Sequence, residues 1–348
     1  MGAVRVSKNA VSSAFNARSG IGCVRSSARF IFIFLVGRRE VGRPRRRWQC
    51  RRLVPTMGPP AFGATSAAER LFLAYGCHSN SFSAAFDQDL DRFLTADGQG
   101  LQAFTHFEPL RTSIAFFDPI ARRPHEAIEA FLAEQRASGR STAFWKVSAP
   151  TAQLLAREGF LVAPYGIESS VRLPVSLFGM ARRGLRREAE AARHAGITCT
   201  IVGEHNSSAS DAPWEEMAAL SERWLVSRTR PKGVCRITRR AVYNHEAHCT
   251  KFVARDQHGD LVGWAAFDHI YNARVPLGAG LSISRWDPRR RGISSALALA
   301  GAQYISELCN SHTDPILALG ESPFAPLQAY PALLLSLIHI SEPTRRTP

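Results

Sequence analysis

The chain has 348 residues, of which 45% are hydrophobic and 21% are charged. That apolar fraction is enough for a packed core, which excludes a wholly disordered chain, and the length predicts about two domains. No run of about 18 apolar residues occurs, which excludes a transmembrane helix. The seven cysteines are scattered and include no C-x-x-C pair, a pattern typical of a reducing compartment without a disulfide framework.

The formal net charge of +15 is concentrated at one end of the chain. Residues 1–56 contain 13 Lys and Arg but a single acid, Glu40, so the rest of the chain is nearly balanced. The global charge is therefore no argument for nucleic-acid binding. The composition of residues 1–56 resembles a transit peptide, but we favour an upstream extension of the reading frame with the true start at Met57. We expect this segment to be disordered or spurious.

The C-terminal end of the chain also lacks the pattern of a folded segment. From Leu335 the sequence reads LSLIHISEPTR, which resembles the translation of a sequencing adapter and has neither a helical nor a strand period. We therefore exclude residues 335–348 from the fold and expect the native sequence to stop near Leu334.

Between these ends the sequence alternates between strand and helix patterns. Helices are predicted over 67–76 and 82–94, the second from the helical spacing of its apolar residues. A hairpin with a turn near 108–110 follows. Further along come a helix over 124–138, a strand over 142–148, a helix over 149–160 and a strand over 168–175.

The second part of the chain repeats this plan. The pattern predicts a helix over 214–225, a hairpin over 250–270, a strand over 281–288, a helix over 293–308 and a strand over 315–321. Asp97 and Asp256 each precede a strand and each have a glycine three residues later. We therefore predict an α/β (α+β) fold with two duplicated units, at 57–175 and 176–334, each with a mixed sheet flanked by helices.

One turn has the composition of a phosphate-binding loop. Arg289, Gly292 and Ser294 form an R-x-x-G-x-S segment that follows a predicted strand and opens a helix. A glycine lets the backbone approach a ligand, and the free N–H groups of a helix N-terminus bind phosphate. The segment is close to the loop of GNAT-type acyltransferases, although an arginine-rich solvated turn is an equal interpretation.

A second basic group follows the first unit. Its members are Arg182, Arg183, Arg186 and Arg187, which share a broad face of a predicted helix. Such a strip suits the phosphates of RNA or of lipid headgroups, but from the residues alone we favour an ordinary exposed helix, partly neutralised by Glu188 and Glu190. His245 and His248 are three residues apart, which is not the H-E-x-x-H spacing, so we predict no metal site.

Four ordered segments of this sequence resemble the C-terminal catalytic domain of phosphatidylglycerol lysyltransferases. They are ERLFLAYGCHSNSF (69–82), SIAFFDPI (113–120), GLRREAEAARHAGIT (184–198), and the stretch from LSISRWDPRRRGISSALALA to ILALGESP (281–323). The resemblance implies two tandem GNAT-like acyltransferase folds. It also implies a bacterial enzyme that transfers an amino acid from aminoacyl-tRNA to the hydroxyl of a membrane lipid, normally phosphatidylglycerol.

The resemblance also implies partners and residue roles. The partners would be aminoacyl-tRNA and an anionic phospholipid, met at the inner face of the cytoplasmic membrane, with no resident cofactor. Arg285 would contact phosphate or the oxyanion, and Glu321 would accept a proton. Arg182, Arg183, Arg186 and Arg187 would hold the acceptor stem or the lipid headgroup, and the turn with Arg289, Gly292 and Ser294 would bind phosphate. We further expect the twin units to enclose a cleft lined by these cationic side chains.

This sequence departs from the family at two points. The family's Asp-x-x-Arg is here Ser282-Ile283-Ser284-Arg285, so the arginine is present and the aspartate is not. The family also continues beyond the L-G-x-x-P strand to a lysine-containing segment, so the chain as given is expected to be inactive if that segment is required. Three alternatives stay open: a tRNA-dependent peptidyltransferase of the peptidoglycan type, an acyl-CoA N-acyltransferase that uses the Arg289–Ser294 turn, and an inactive binding module.

Overall fold

A computed structural model of the chain describes residues 29–35, 66–175, 183–202, 213–227, 246–309 and 314–323. Within these ranges it is a mixed α/β protein, as the sequence predicts. The expected extension at 1–56, apart from 29–35, and the expected non-native tail at 335–348 lie outside the described residues.

The described strands form one continuous sheet of 11 strands in the order β2-β3-β4-β5-β1-β6-β11-β10-β9-β8-β7. Their bounds are β1 Arg29–Leu35, β2 Asp91–Leu94, β3 Gly100–Phe107, β4 Thr112–Ala121, β5 Ser141–Val147, β6 Leu161–Arg172, β7 Thr198–Ile201, β8 Cys249–Arg255, β9 Leu261–Asn272, β10 Val275–Trp286 and β11 Ile316–Pro323. The two mixed halves of the sheet join where β6 pairs with β11 in antiparallel fashion. We call this junction the seam.

Seven helices flank the described part of the sheet. Their bounds are α1 Ala67–Tyr75, α2 Ser81–Phe86, α3 Pro124–Ala137, α4 Ala149–Arg157, α5 Arg183–His194, α6 Trp214–Val226 and α7 Ile293–Leu308, with one 3-10 turn at Glu108–Leu110. Helix α7 has the predicted bounds because Gly292, with φ +78°, provides a left-handed start to the helix. No helix among the described ranges combines the length and the apolar character that crossing a bilayer requires.

The two halves of the sheet share one connectivity, which agrees with the predicted duplication. In the first half β3 and β4 pair antiparallel, α3 crosses over, and β5 returns parallel to β4. In the second half β9, β10, α7 and β11 repeat the same arrangement. The duplicated turns differ in detail: both aspartates accept a backbone N–H two residues on, at 3.0 Å, but the left-handed glycine is Gly98 in one turn and Gly259 in the other.

The predicted strands over 168–175 and 281–288 begin earlier than expected, at Leu161 and Val275, and two further segments differ in kind from the prediction. The predicted helix over 82–94 ends at Phe86, and residues 91–94 form β2 instead. Pairing of β2 with β3 and the packing of Phe93 against Phe131 override the helical spacing. Residues 29–35, inside the segment expected to be disordered or spurious, form β1, which pairs antiparallel with both β5 and β6.

In the second half the two faces of the sheet carry separate cores. One face packs against α7 and α5 through Phe267, Ala279 and Leu297. The other packs against α6 through Trp264, Ile283 and Met217. Since neighbouring residues of a strand point to opposite faces, this division decides on which side each site residue lies.

Candidate functional site

Helix α5, which carries part of the second arginine group, packs across the turn that carries the first. A Cβ built on Gly292 would lie 2.1 Å from the carbonyl oxygen of Glu188 and 3.2 Å from the Cβ of Ala192. The Arg291 guanidinium is 2.8 Å from the Glu188 carboxylate. The two arginine groups, remote in sequence, therefore share one surface.

We call this the basic surface; its described members are Arg186, Arg187, Arg193, Arg289, Arg290 and Arg291. Arg183 is the first residue of α5, whereas Arg182 lies outside the described residues. Each arginine of the turn has an acidic partner at 2.8 Å, namely Asp287 for Arg289, Asp256 for Arg290 and Glu188 for Arg291. The side chain of Arg289 is still 83% exposed, so it remains accessible to a second anion.

The ion pairs fix the shape of the turn. The Arg289 guanidinium and a backbone N–H hold the pKa of Asp287 below its usual range. Asp256 is nearly inaccessible, and its burial opposes ionisation. The backbone N–H groups of His258 and Asp260 together with the Arg290 guanidinium outweigh that burial, so the pKa of Asp256 is also lowered. The turn is therefore a preformed element rather than a loose arginine-rich loop.

This packing gives Gly292 a role that the phosphate-loop interpretation does not require. The backbone at Gly292 faces α5, and Ser294 is half-buried in the first turn of α7. The close approach that needs a glycine is thus made to a helix of the same chain. The role of Arg289, Gly292 and Ser294 in binding phosphate stays a prediction.

Arg285 lies apart from the basic surface. It is opposite Trp264 in the β9–β10 register, so it points to the α6 face of the sheet, whereas α5 and α7 cover the other face. Its guanidinium stacks on the Trp224 ring, 4.2 Å from the centroid. The expectation of one cleft lined by Arg285 and the α5 arginines is therefore wrong, because strand alternation places them on opposite faces.

The seam holds a second group of polar residues, of which the sequence-based prediction included only Glu321. Glu321, the predicted proton acceptor, pairs in register with Glu168 across the seam. Glu168 is only 8% exposed and accepts a hydrogen bond from the Ser79 hydroxyl. Ser79 reaches this position because Gly280 lacks a side chain, since a Cβ there would lie 3.1 Å from the Ser79 carbonyl oxygen.

Buried polar residues continue from the seam across the α6 face. In register, Asp268 lies opposite Gly280, Gly280 opposite Ala318, and Ala318 opposite Ser170, so these positions share one face. Asp268 is 1% exposed and Ser170 is 5% exposed. We call Ser79, Glu168, Ser170 and Asp268 the seam site.

A buried lysine lies on the same face, one strand further along. Lys251 is opposite Ala266, two residues from Asp268, and its side chain is 4% exposed. Its ammonium is 2.8 Å from the Glu246 carboxylate and 5.3 Å from the centroid of the Trp214 ring. Charged side chains are rarely buried so deeply unless they are paired, and such burial is common at functional sites.

The seam site offers carboxylates and hydroxyls in a water-poor setting. Such groups bind an ammonium or accept a proton more strongly there than at an exposed surface. A sequence signal for part of it does exist, because Asp268 directly follows a long apolar run in β9 and Lys251 directly precedes an apolar run in β8. One cavity, with a volume of about 440 Å³, lies away from the seam site, in the first half between the β2–β3 turn and α3.

Both the sequence and the fold of the chain are similar to those of known proteins. The family model for phosphatidylglycerol lysyltransferase, C-terminal, matches residues 70–329. No match was found among curated proteins. Structural similarity to L-PGS from Bacillus licheniformis has a TM-score of 0.61 at 19% identity, covering 74% of this chain and 76% of that one.

Two further solved structures have a similar fold. The C-terminal domain (DUF2156) of a putative lysylphosphatidylglycerol synthetase from Agrobacterium fabrum has a TM-score of 0.59 at 17% identity, covering 76% of this chain and 79% of that one. A conserved protein of unknown function from Bacteroides thetaiotaomicron has a TM-score of 0.54 at 13% identity, with 78% and 94% covered. Since the family model spans most of the residues described here, the chain belongs to the phosphatidylglycerol lysyltransferase C-terminal domain family.

Proposed function

We propose that this chain transfers an aminoacyl group, of the lysyl type, from aminoacyl-tRNA to a hydroxyl of an anionic phospholipid such as phosphatidylglycerol. The family supports a transferase of the lysylphosphatidylglycerol synthetase kind. The observation that carries the proposal is the seam site, where carboxylates are buried on one face of the sheet at the junction of two duplicated halves.

The chemistry proposed is a transesterification. The lipid hydroxyl oxygen attacks the ester carbonyl carbon of the aminoacyl-tRNA and gives up its proton to a carboxylate, for which we propose Glu321. The tetrahedral oxyanion then collapses, the bond to the ribose oxygen breaks, and that oxygen takes up the proton. Arg285 is proposed to contact the oxyanion or a substrate phosphate, with its guanidinium plane held by Trp224.

The seam site is proposed to hold the amino acid. A lysyl group carries two ammonium groups, and the buried carboxylates of Glu168 and Asp268 provide the complementary charge. The basic surface is proposed to hold phosphates of the tRNA or of the membrane surface, since Arg187 and Arg289 are exposed there. This would place the protein at the inner face of the cytoplasmic membrane.

The test is the lipid composition of bacterial cells that express the chain joined to the family's lysine-containing segment. Mass spectrometry of the lipid extract should detect aminoacylated phosphatidylglycerol, and Glu168→Gln, which keeps the shape but removes the charge, should lower its amount at least tenfold. Ser169→Ala, at the neighbouring position on the strand, serves as the control. An unchanged lipid composition would contradict the proposal, and so would the appearance of the added amino acid in peptidoglycan precursors instead of lipids.

A further inference from the structure

Five side chains form a continuous line of hydrogen bonds between α1 and the second half of the sheet. Glu69 Oε1 lies 3.0 Å from His248 Nε2, and His248 Nδ1 lies 3.3 Å from the Tyr271 hydroxyl. The same hydroxyl lies 3.2 Å from His269 Nδ1, and His269 Nε2 lies 2.8 Å from Thr250 Oγ1. We call this line the relay; it is separate from the seam site and the basic surface.

The direction of every hydrogen bond in the relay follows from counting protons. A carboxylate only accepts, so His248 donates from Nε2, and its bare Nδ1 accepts the Tyr271 hydroxyl proton. The Tyr271 hydroxyl has only this one proton to donate, so its oxygen accepts the hydrogen bond from His269 Nδ1–H. His269 Nε2 is then bare and accepts from the Thr250 hydroxyl. All four hydrogen bonds point from Thr250 toward Glu69.

Aromatic rings and backbone hydrogen bonds surround the relay and hold it in place. The His248 ring stacks on Phe86, with centroids 6.2 Å apart, and meets Phe72 at 5.6 Å. His248 has φ +62°, a left-handed conformation that costs a non-glycine residue of the order of 1 kcal/mol and that its contacts maintain. Backbone bonds also tie the ends of α1 and β9, since Ala273 N–H donates to Ala74 O at 2.9 Å.

The neighbouring titratable groups keep the relay neutral at its centre. Burial, aided by the charge of His248, lowers the pKa of His269 to about 4. Burial raises the pKa of Tyr271 to about 12, with further contributions from Cys309 and Tyr304 on α7. His269 is therefore neutral near pH 7 and Tyr271 keeps its proton, so the hydroxyl can pass a proton only by receiving another in the same step.

We propose that the relay carries a proton from Thr250 to His248 and thereby couples the tautomer of His269 to the charge of His248. A hydronium ion gives a proton to Thr250 Oγ1, whose own proton moves to His269 Nε2. The His269 Nδ1 proton moves to the Tyr271 oxygen, and the Tyr271 proton moves to His248 Nδ1. One proton enters, one positive charge appears on His248 beside Glu69, and His269 is left as the Nε2–H tautomer.

This makes the contact between α1 and the second half responsive to pH. With His248 neutral, Glu69 accepts an ordinary hydrogen bond; with His248 charged, the same contact becomes an ion pair across the two halves. No heavy atom has to move, since only protons change place.

The test is nitrogen-15 NMR of the histidine rings in the full chain, with resonances assigned from His248→Gln and His269→Gln. At pH 8 we expect His248 as the Nε2–H tautomer and His269 as the Nδ1–H tautomer. As the pH falls toward 5, His269 should change to Nε2–H at the same midpoint at which His248 becomes charged. A His269 that keeps its tautomer while His248 becomes charged would overturn the proposal.

Two variants sharpen this test. Tyr271→Phe removes the central hydroxyl, so His269 should no longer follow His248, whereas the control Tyr304→Phe should leave the coupling intact. If Tyr271→Phe does not fold, Thr250→Val serves instead: it removes the hydroxyl through which the relay takes up its proton, so His269 should keep its tautomer while His248 becomes charged. Coupling that persists in Tyr271→Phe or in Thr250→Val would refute the relay. The readout does not depend on transferase activity.

Discussion

Replacing Gly292 by alanine tests whether α5 and the arginine turn form one surface. Gly292 has φ +78°, which is unfavourable for any residue with a Cβ. The added Cβ would lie 2.1 Å from the Glu188 carbonyl oxygen, a backbone atom that cannot rotate away. The whole of α5 must therefore shift from the turn, and the buried Ala192 must lose contacts with it.

The loss of stability expected in Gly292→Ala has two parts, and the same substitution at a second left-handed glycine, Gly259, separates them. The left-handed backbone conformation alone costs alanine about 1 kcal/mol. The overpacking against α5 adds about 2 kcal/mol. Gly259 has φ +85° and open space on the side where a Cβ would lie, with nothing within 4 Å, so Gly259→Ala bears only the first part.

The assay is thermal unfolding of both variants followed by circular dichroism. For a chain of this size, about 2 kcal/mol corresponds to a Tm difference of roughly 3 to 4 °C, with Gly292→Ala the less stable. Equal losses in the two variants would refute the packing of α5 on the turn, and with it the joint basic surface.

Three further predictions concern the charged groups. Arg187→Glu should weaken binding to anionic vesicles about tenfold and reduce its salt dependence, measured by cosedimentation, whereas Arg136→Glu on α3 should not; equal effects would exclude a localised basic surface. Trp224→Leu should lower kcat for lipid aminoacylation about tenfold while Trp224→Phe retains most of it, because a ring is needed to hold Arg285; no difference between them would contradict that positioning. Asp256→Asn should lower the free energy of unfolding at pH 7, and its difference from wild type should vanish as the pH falls to about 2. The reason is that a carboxylate with a lowered pKa contributes stability that is lost on protonation. A difference in unfolding free energy that does not change with pH would argue against an ionised Asp256.

Local sequence patterns predicted most of the helices and strands, because their starts, ends and turns are determined by residues close to them in sequence. The bounds of α7 follow from a glycine start and an apolar period, and the hairpin of β8 and β9 follows from its Asp-x-x-Gly turn. The error at 82–94 arose because an apolar spacing that suits a helix also suits a short strand once a neighbouring strand pairs with it.

The candidate site was less accessible from sequence because its parts meet only in three dimensions. The two arginine groups could be found as local clusters, but their meeting depends on α5 packing over Gly292. The seam site depends on contacts such as Ser79 with Glu168, separated by 89 positions. The side on which Arg285 lies depends on strand parity and on the bulge between Leu281 and Ile283, which no spacing rule reveals.

The most direct measurement of the proposed function uses the purified chain joined to the family's lysine-containing segment, aminoacyl-tRNA labelled on its lysine, and vesicles that contain phosphatidylglycerol. We predict that label moves into the lipid phase, that ribonuclease treatment of the tRNA beforehand abolishes the transfer, and that vesicles of a lipid without a free hydroxyl receive none. Label that stays on the tRNA, or that appears as free lysine at the same rate with and without the lipid hydroxyl, would contradict the proposed transfer.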